Sequence, residues 1–510
     1  MSAAAFRAAL PGLRIVTDAA DCAVLSSDLA GPAAAPDVAV LQPADAGQVA
    51  ALVRVARREG IALVPRGGGW SYTGGVTPGE APAAVVATQA LHDIAIDRAA
   101  MTVTAGAGTT WAALHAALEE HGLRVPSFGP LSGIGATLGG LAAQNGGFFG
   151  AAGHGALGDA TLLASELVDG TGELRRIGRD ARIGGRAAPQ PLAGDCGAFG
   201  IRTAVTLGLM AAPAATGFAA FGFDTGEAAL AALLAVAALP GLGEAFVFDP
   251  LTHANLARSG FSVLESAALA GDLLRAPGGL LGRVGGMLRT ARAGRAFVAD
   301  LRWSLNLSAD GSAAAVAETL AAAAAHAAAL GGEMLPDTLP RVTRARPFRR
   351  IKALLGPDGE AWLPLHGVFA RDVAAAGFAA ATAALAAAAD DMRAHAIRAS
   401  LLMVLMGSRV VIEPQLFWPD ALAPLQRRLV TPEQVAAYGA RPANPAARDA
   451  AHALRRRITA ALDAAGAAHF QIGRYYDAAA GLPDGTRTAW AALKRQMDPD
   501  RIMNPGVLGL

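Results

Sequence analysis

PRGGGWSYTGG, residues 65–75, is a glycine loop whose neighbours on either side decide how the chain reads. Upstream, Val38–Leu41 is an apolar, β-branched run that reads as a strand. Asp45 and Gln48 have the spacing of a capping box, and Val49, Leu52, Val53 and Ala56 form one helical stripe closed by Gly60. Ile61–Val64 is then a short buried strand leading into the loop. Downstream come AAVVAT, IAID and MTVTAGAG, three more strand-like runs, and a helix over Trp111–Glu120. The loop therefore joins strand to strand. A dinucleotide fingerprint requires a helix after the loop, because the helix N-terminus holds the pyrophosphate. The Walker pattern fails too: Gly69 and Gly74 are correctly spaced, but Gly75 and Val76 stand where Lys and Ser/Thr are needed.

Two further glycine clusters follow, GATLGGLAAQN at 135–145 and GDCGAFGIRTAVTL at 194–207. Between them, LLASELVDGTGELRRIG reads as a strand, a turn at Asp169-Gly170 and a returning strand. Glycine lets main chain approach a ligand closely, and successive N–H groups form an anion-binding concavity. Three such clusters suggest one large ligand wrapped by backbone, although chance clustering in a chain with 61 glycines is the plain alternative. Beyond Pro213 the sequence reads as alanine-leucine helices interrupted by LPGLG and RAPGGLLGRVGG. Strands return from about residue 400, in LLMVLMGSRVVIEPQLFW and later in HFQIGRYY.

Composition narrows the class. The 510 residues allow two or three domains. With 43 basic and 42 acidic side chains the net charge is +1, which argues against a nucleic-acid partner. Cys22 and Cys196 offer neither a disulfide framework nor CxxC spacing, and no metal site is expected. The first residues lack the pattern of a secretory signal, and no run reaches the roughly 18 apolar residues of a membrane span. A cytoplasmic protein is the expectation.

The order of the motifs resembles the FAD-linked oxidase family, of the vanillyl-alcohol oxidase, D-lactate dehydrogenase and glycolate oxidase flavoprotein type. The resemblance rests on PRGGGWSYTGG, GATLGGLAAQN, GDCGAFGIRTAVTL and the tail LKRQMDPDRIMNPGVLGL at 493–510. It implies an α+β fold: a two-lobed PCMH-type FAD-binding domain over 1–212, an inserted α+β substrate (cap) domain over 213–455, and a segment over 456–510 returning to the FAD domain. Carried over by position, Gly67, Gly68, Gly69 and Ser71 hold the FAD pyrophosphate, in a loop that also includes Pro65, Arg66 and Trp70. Thr137, Gly139, Gly140 and Asn145 lie along the flavin and ribityl chain, Gly200 and Ile201 approach the adenine-ribose end, and Asn504 reaches the cofactor from the tail. Asp195, Cys196 and Arg202 depart from the family pattern. Bicovalent relatives place a flavin-bonding histidine where this chain has Trp70, so FAD is expected to be held noncovalently.

A CH–OH donor is the implied substrate, a small 2-hydroxy acid such as D-lactate or glycolate first. A phenolic (4-hydroxybenzyl) alcohol, or a flavin-carrying electron-transfer subunit without a complete site, are the alternatives. The candidate catalytic residues are His469, Arg474 and Tyr475 in HFQIGRYY, read as a strand with His469 and Gln471 on one face. Beside them stand His366 and Arg371 in WLPLHGVFARD, with Arg371 or Arg474 as partner for a substrate carboxylate. Each also reads as structural: a sheet histidine, packing tyrosines. Glu413 reads more readily as a solvated strand-end carboxylate. A cap metal site is not supported, since Val373 stands where its second histidine is needed. The electron acceptor, and any homodimer or electron-transfer complex, stay open.

Overall fold

The structure, a computed structural model, describes residues 2–31, 38–79, 82–179, 182–183, 186–187, 192–259, 302–345, 347–348, 355–479 and 481–510. The expected break RAPGGLLGRVGG lies outside them. No helix among the described residues is long and apolar enough to cross a membrane.

The first lobe is a four-stranded sheet in the order Arg14–Val16, Ala39–Gln42, Ala83–Ala87, Ala62–Arg66. Its last three strands are parallel. Helix Ala46–Glu59 makes the crossover and buries Val49, Leu52, Val53, Val55 and Ala56. Asp45 Oδ1 accepts from the Gln48 amide at 2.8 Å, and Gly60 ends the helix at φ 63°, as the sequence implies. The reciprocal half of the box shifts by one residue: Gln48 Oε1 accepts from Ala44 N. The chain terminus joins this lobe. Leu63 N donates to Ile502 O and Asn504 N to Leu63 O, so the tail lies along strand Ala62–Arg66.

The second lobe is an antiparallel sheet ordered Ile94–Asp97, Thr102–Gly106, Ile201–Gly208, Leu162–Val168, Leu174–Gly178. The last two strands form the expected hairpin, with Asp169 Oδ1 accepting from the Thr171 and Glu173 amides inside its turn.

The inserted region differs from expectation. Strands do not wait until residue 400: Ala215–Phe223, Leu242–Phe248 and Trp303–Gly311 join hairpin Arg398–Met406/Arg409–Trp418 in an eight-stranded antiparallel sheet. Alanine-rich composition hides these strands, because alanine and glycine carry little period-2 contrast. Helices Gly226–Val236, Ala313–Ala329, Ala374–Ala387 and Pro445–Ala464 cover one face, and the last crosses the expected boundary at 455/456.

Alternation gives that sheet two chemically different faces. In WSLNLSADG (303–311), Leu305 and Leu307 enter the core beneath the helices, while Ser304, Asn306 and Ser308 turn the other way yet are also buried. In Arg409–Trp418, Val410, Ile412 and Leu416 join the helical core, whereas Val411 packs with Phe148 and Phe149 of the FAD-domain region. Glu413 and Gln415 share the parity of Val411. The sheet thus presents a polar row toward the two lobes.

A four-residue ion network holds the cap against them. Asp310 Oδ2 accepts from Arg124 Nη1 and Arg344 Nη2, both at 2.7 Å; Arg344 also pairs with Glu244, which accepts from Gly150 N at 2.8 Å. All four side chains are largely buried, and the two positive and two negative charges compensate one another.

Candidate functional site

The three glycine clusters converge. A cleft of about 450 Å³ is lined by Pro65, Arg66, Gly67, Gly75 and Val76 from the first, by Gly139, Gly140, Ala143 and Gln144 from the second, and by Cys196, Gly197, Gly200 and Arg202 from the third. Thr88 and Ala107 complete the wall. Six of these are glycines, so main chain faces the space.

Close backbone approach explains the residue types. A Cβ at Gly68 would overlap the Gly135 carbonyl oxygen, and one at Gly67 would overlap Thr137 Oγ1. Gly69 adopts φ 77°, where its neighbour's guanidinium fills the space of a side chain. Thr137 caps helix Leu138–Gln144, its Oγ1 accepting from Gly140 N at 3.2 Å, so this helix presents its N-terminal amides at the cleft. The residues fit a large anionic cofactor such as FAD: glycine main chain, a helix N-terminus, and walls drawn from both lobes.

Several residues expected at the cofactor also use their side chains to hold the loops. Arg66 is buried beneath the first loop, Nη1 donating to Ser27 O at 2.5 Å; burial brings its pKa down to about 10. Ser71 Oγ bonds to Thr73 Oγ1. Asn145, at φ 52°, caps its helix and accepts from Gly158 N at 2.8 Å. Ile201 is fully buried in the first-lobe core. Trp70 lies against Gly135, whose Cβ position would fall on the indole nitrogen, so it joins the first loop to the second.

Asn504 is tied to protein at every side-chain position. Nδ2 donates to Gly75 O at 2.8 Å and to Cys196 O at 2.7 Å, and Oδ1 accepts from Arg474 Nη2 at 2.7 Å. Arg474 also donates to Gly74 O, Thr77 O and Pro505 O. Its guanidinium holds loops together, so the expected carboxylate pairing finds no support here.

The departures in the third cluster prove to be one interaction. Arg202 Nη1 pairs with Asp195 Oδ1 at 2.6 Å, both groups buried. A buried guanidinium where relatives have an apolar residue needs a buried acid, and Asp195 supplies it.

On the cap side, HFQIGRYY is not a strand. Gln471 adopts φ 50° and Gly473 φ 58°, which breaks extended geometry, and only Ala468 forms a bridge, with Val368. The segment instead crosses between domains: Gln471 N donates to Gln144 O at 3.0 Å, and Gly473 N to Cys196 Sγ at 3.3 Å.

This crossing brings His366 and His469 together but leaves other candidates apart. His366 Nε2 donates to Phe470 O at 2.7 Å, and its ring stacks on Phe470 at 4.0 Å. Burial lowers its pKa to about 3, so the imidazole is neutral. His469 stacks on Tyr476 at 4.0 Å; its Nδ1 meets His366 O and its Nε2 meets Asp463. Tyr476, rather than Tyr475, joins this group, its hydroxyl accepting from His366 N. Tyr475 turns to Thr459 and lies 3.5 Å from the Arg455 guanidinium. Arg371 donates to Gly407 O at the hairpin turn, against helix Ala151–His154 rather than this group.

Sequence reasoning underrated Glu413 and passed over Tyr72. Glu413 lies mid-strand opposite Leu402, accepts from Gln415 Nε2 at 2.8 Å, and is driven by burial up to a pKa of about 7. Tyr72 is buried within electrostatic reach of Glu413, bonds to Gln471, and sits edge-on to Trp362 and His366. The available signal was a carboxylate in the middle of the apolar run RVVIEPQLFW rather than at its end.

Comparison with known proteins agrees with this geometry. Residues 38–178 match the family model described as FAD binding domain. A stretch of 144 residues is 33% identical to D-lactate dehydrogenase of Archaeoglobus fulgidus (strain ATCC 49558 / DSM 4304 / JCM 9628 / NBRC 100126 / VC-16); it covers 28% of this chain and 32% of that protein. The chain thus spans about a third of the curated relative it matches. Among solved structures, p-cresol methylhydroxylase with substrate bound is similar over 100% of this chain and 96% of its own, at TM-score 0.69 and 17% identity. The 4-ethylphenol oxidase of Gulosibacter chungangensis matches over 97% and 94%, at 0.66 and 16%. An alkyldihydroxyacetonephosphate synthase matches over 93% and 76%, at 0.62 and 16%. Residues 38–178 thus match an FAD binding domain, and the mixed α+β architecture of the chain is similar to that of these solved proteins.

Proposed function

We propose, from the premise that this chain carries the FAD-binding domain of the FAD-linked oxidases, that it is an FAD-dependent oxidoreductase acting on a CH–OH donor. One observation carries the reading: three glycine clusters far apart in sequence meet at a single cleft, and Gln144 of its lining accepts from Gln471 N of the segment that crosses from the cap. Fold alone does not fix the reaction, since a synthase shares it.

Main chain of the first two clusters holds the pyrophosphate and flavin, noncovalently on this reading. Bound FAD supplies the hydride acceptor. The protein's part is to bury the reacting carbon between lobes and cap, exclude water and receive the hydroxyl proton.

Two donors remain. The D-lactate dehydrogenase relative favours a small 2-hydroxy acid, through a match confined to the FAD domain. The cap favours a phenolic or otherwise neutral alcohol, because Arg474 is committed to loop carbonyls, Arg371 lies elsewhere, and Tyr72 and Tyr476 both pack their rings against the neutral His366. An anaerobic panel of D-lactate, glycolate and 4-hydroxybenzyl alcohol, followed by flavin absorbance, tests the proposal. Bleaching by any of them supports CH–OH oxidation. A flavin that none reduces, with activity restored by an added electron-transfer subunit, sinks it.

A further inference from the structure

Among the described residues, Glu413 is the half-buried carboxyl on the cap face that acts electrostatically on two tyrosines rather than pairing with an arginine. Tyr72 approaches it from the first cofactor loop and Tyr476 from the crossing segment; both hydroxyls feel its charge. Gln415 donates to one of its oxygens. The contact chain from the cleft to this carboxyl is short: Gln144 O accepts from Gln471 N, Gln471 bonds to Tyr72, and Tyr72 faces Glu413.

The charged groups around it are already engaged. Arg398, four residue pairs along the neighbouring strand, is paired with Glu360 and bonds to Asn255. Arg455, on the helix behind, donates to Tyr72 O at 3.0 Å and stacks on Tyr475. His366, between the two outer strands, is neutral. An anion entering here would meet an acidic group and no disengaged cation among the described residues, whereas a neutral hydroxyl would meet an acceptor.

We propose that Glu413 receives the hydroxyl proton of the donor, and that its carboxylate restricts the site to neutral hydroxyl compounds. This rests on the CH–OH reading above. With FAD bound to accept the C–H hydride and both its electrons, the O–H proton would pass to a Glu413 oxygen while carbon and oxygen stay joined as a carbonyl. A carboxyl titrating near neutrality suits the exchange in both directions.

The experiment uses the FAD-loaded chain and Glu413→Gln, which keeps size and hydrogen-bonding capacity. With 4-hydroxybenzyl alcohol, flavin reduction should slow by about 10²–10⁴-fold in the variant, and the rise of rate with pH near neutrality should vanish. Retention of both the rate and the pH rise overturns the proton role. Independently, benzyl alcohol and benzoate are titrated into the oxidised protein at pH 8.5 and followed by flavin absorbance. Wild type should bind benzyl alcohol at least tenfold tighter, and Glu413→Gln should abolish that preference. Equal binding in wild type, a preference kept in the variant, or no response to either probe overturns the charge filter. Wild-type flavin that no hydroxyl donor reduces overturns the CH–OH reading and the proton role with it, while the benzoate comparison still decides the filter.

Discussion

Asn504 Oδ1 accepts from Arg474 Nη2 at 2.7 Å, so the residue expected at the cofactor and the residue expected at the substrate bind each other. Together they tie the first loop (Gly74, Gly75, Thr77), the third cluster (Cys196) and the tail (Pro505) into one junction at the cleft rim. The cofactor site is held from behind by this polar clasp.

Asn504→Ala should therefore act on loop order first. It removes three buried hydrogen bonds and leaves two carbonyls unpaired, a loss of about 2–4 kcal/mol. Melting of the FAD-loaded protein should fall, and free flavin fluorescence should appear at concentrations where wild type stays saturated. An unchanged flavin affinity contradicts the clasp.

Arg474→Lys should behave as a structural change. A lysine cannot reproduce the planar fork that serves four oxygen acceptors. Thermal stability should drop by about 2–3 kcal/mol, while the ratio of KM for anionic and neutral donors stays as in wild type. A KM increase confined to carboxylate donors would restore the substrate-anchor role.

Gly68→Ala forces a methyl onto the Gly135 carbonyl at the junction of the first two loops. Backbone on both sides leaves no flexible atom to yield, so the variant should purify folded but colourless. Retention of yellow, stoichiometric flavin counts against close loop packing as the basis of the site.

His366 gives a pH signature. Its folded pKa of about 3 lies below the ordinary 6.5, so the unfolded chain takes up a proton that the native chain refuses. The stability it contributes is complete above about pH 6.5 and is lost as pH falls toward 3. Between pH 6 and 5, wild type should lose about 1 kcal/mol more than His366→Gln in urea unfolding. Parallel pH profiles would mean the native imidazole is protonated.

Trp70→Ala should weaken flavin binding without breaking a bond. Acid precipitation of wild type should leave flavin in the supernatant, and the variant should raise the flavin dissociation constant about tenfold or more through loss of the Trp70–Gly135 contact. Flavin in the wild-type pellet refutes noncovalent attachment.

Much of the FAD domain was legible locally. The strand-helix-strand around Ala46–Glu59, the cap at Asp45, the stop at Gly60 and the Asp169 turn depend on short-range chemistry, and they stand where the sequence implies. Period-2 contrast failed in the cap, where alanine and glycine replace the usual alternation in Ala215–Phe223. It failed again in HFQIGRYY, where positive φ at Gln471 and Gly473 is imposed by contacts with Gln144 and Cys196, far away in sequence.

By itself, then, the sequence determined the cofactor lobe, because glycine placement, turn residues and apolar periodicity act over a few residues. Tertiary structure alone decided which polar groups are structural and which face the open site. Asn504, Arg474 and the Asp195–Arg202 pair were drawn into the scaffold, since a buried polar group takes whatever partner the fold brings within 3 Å. Glu413 was left beside tyrosines because no arginine among the described residues was folded against it.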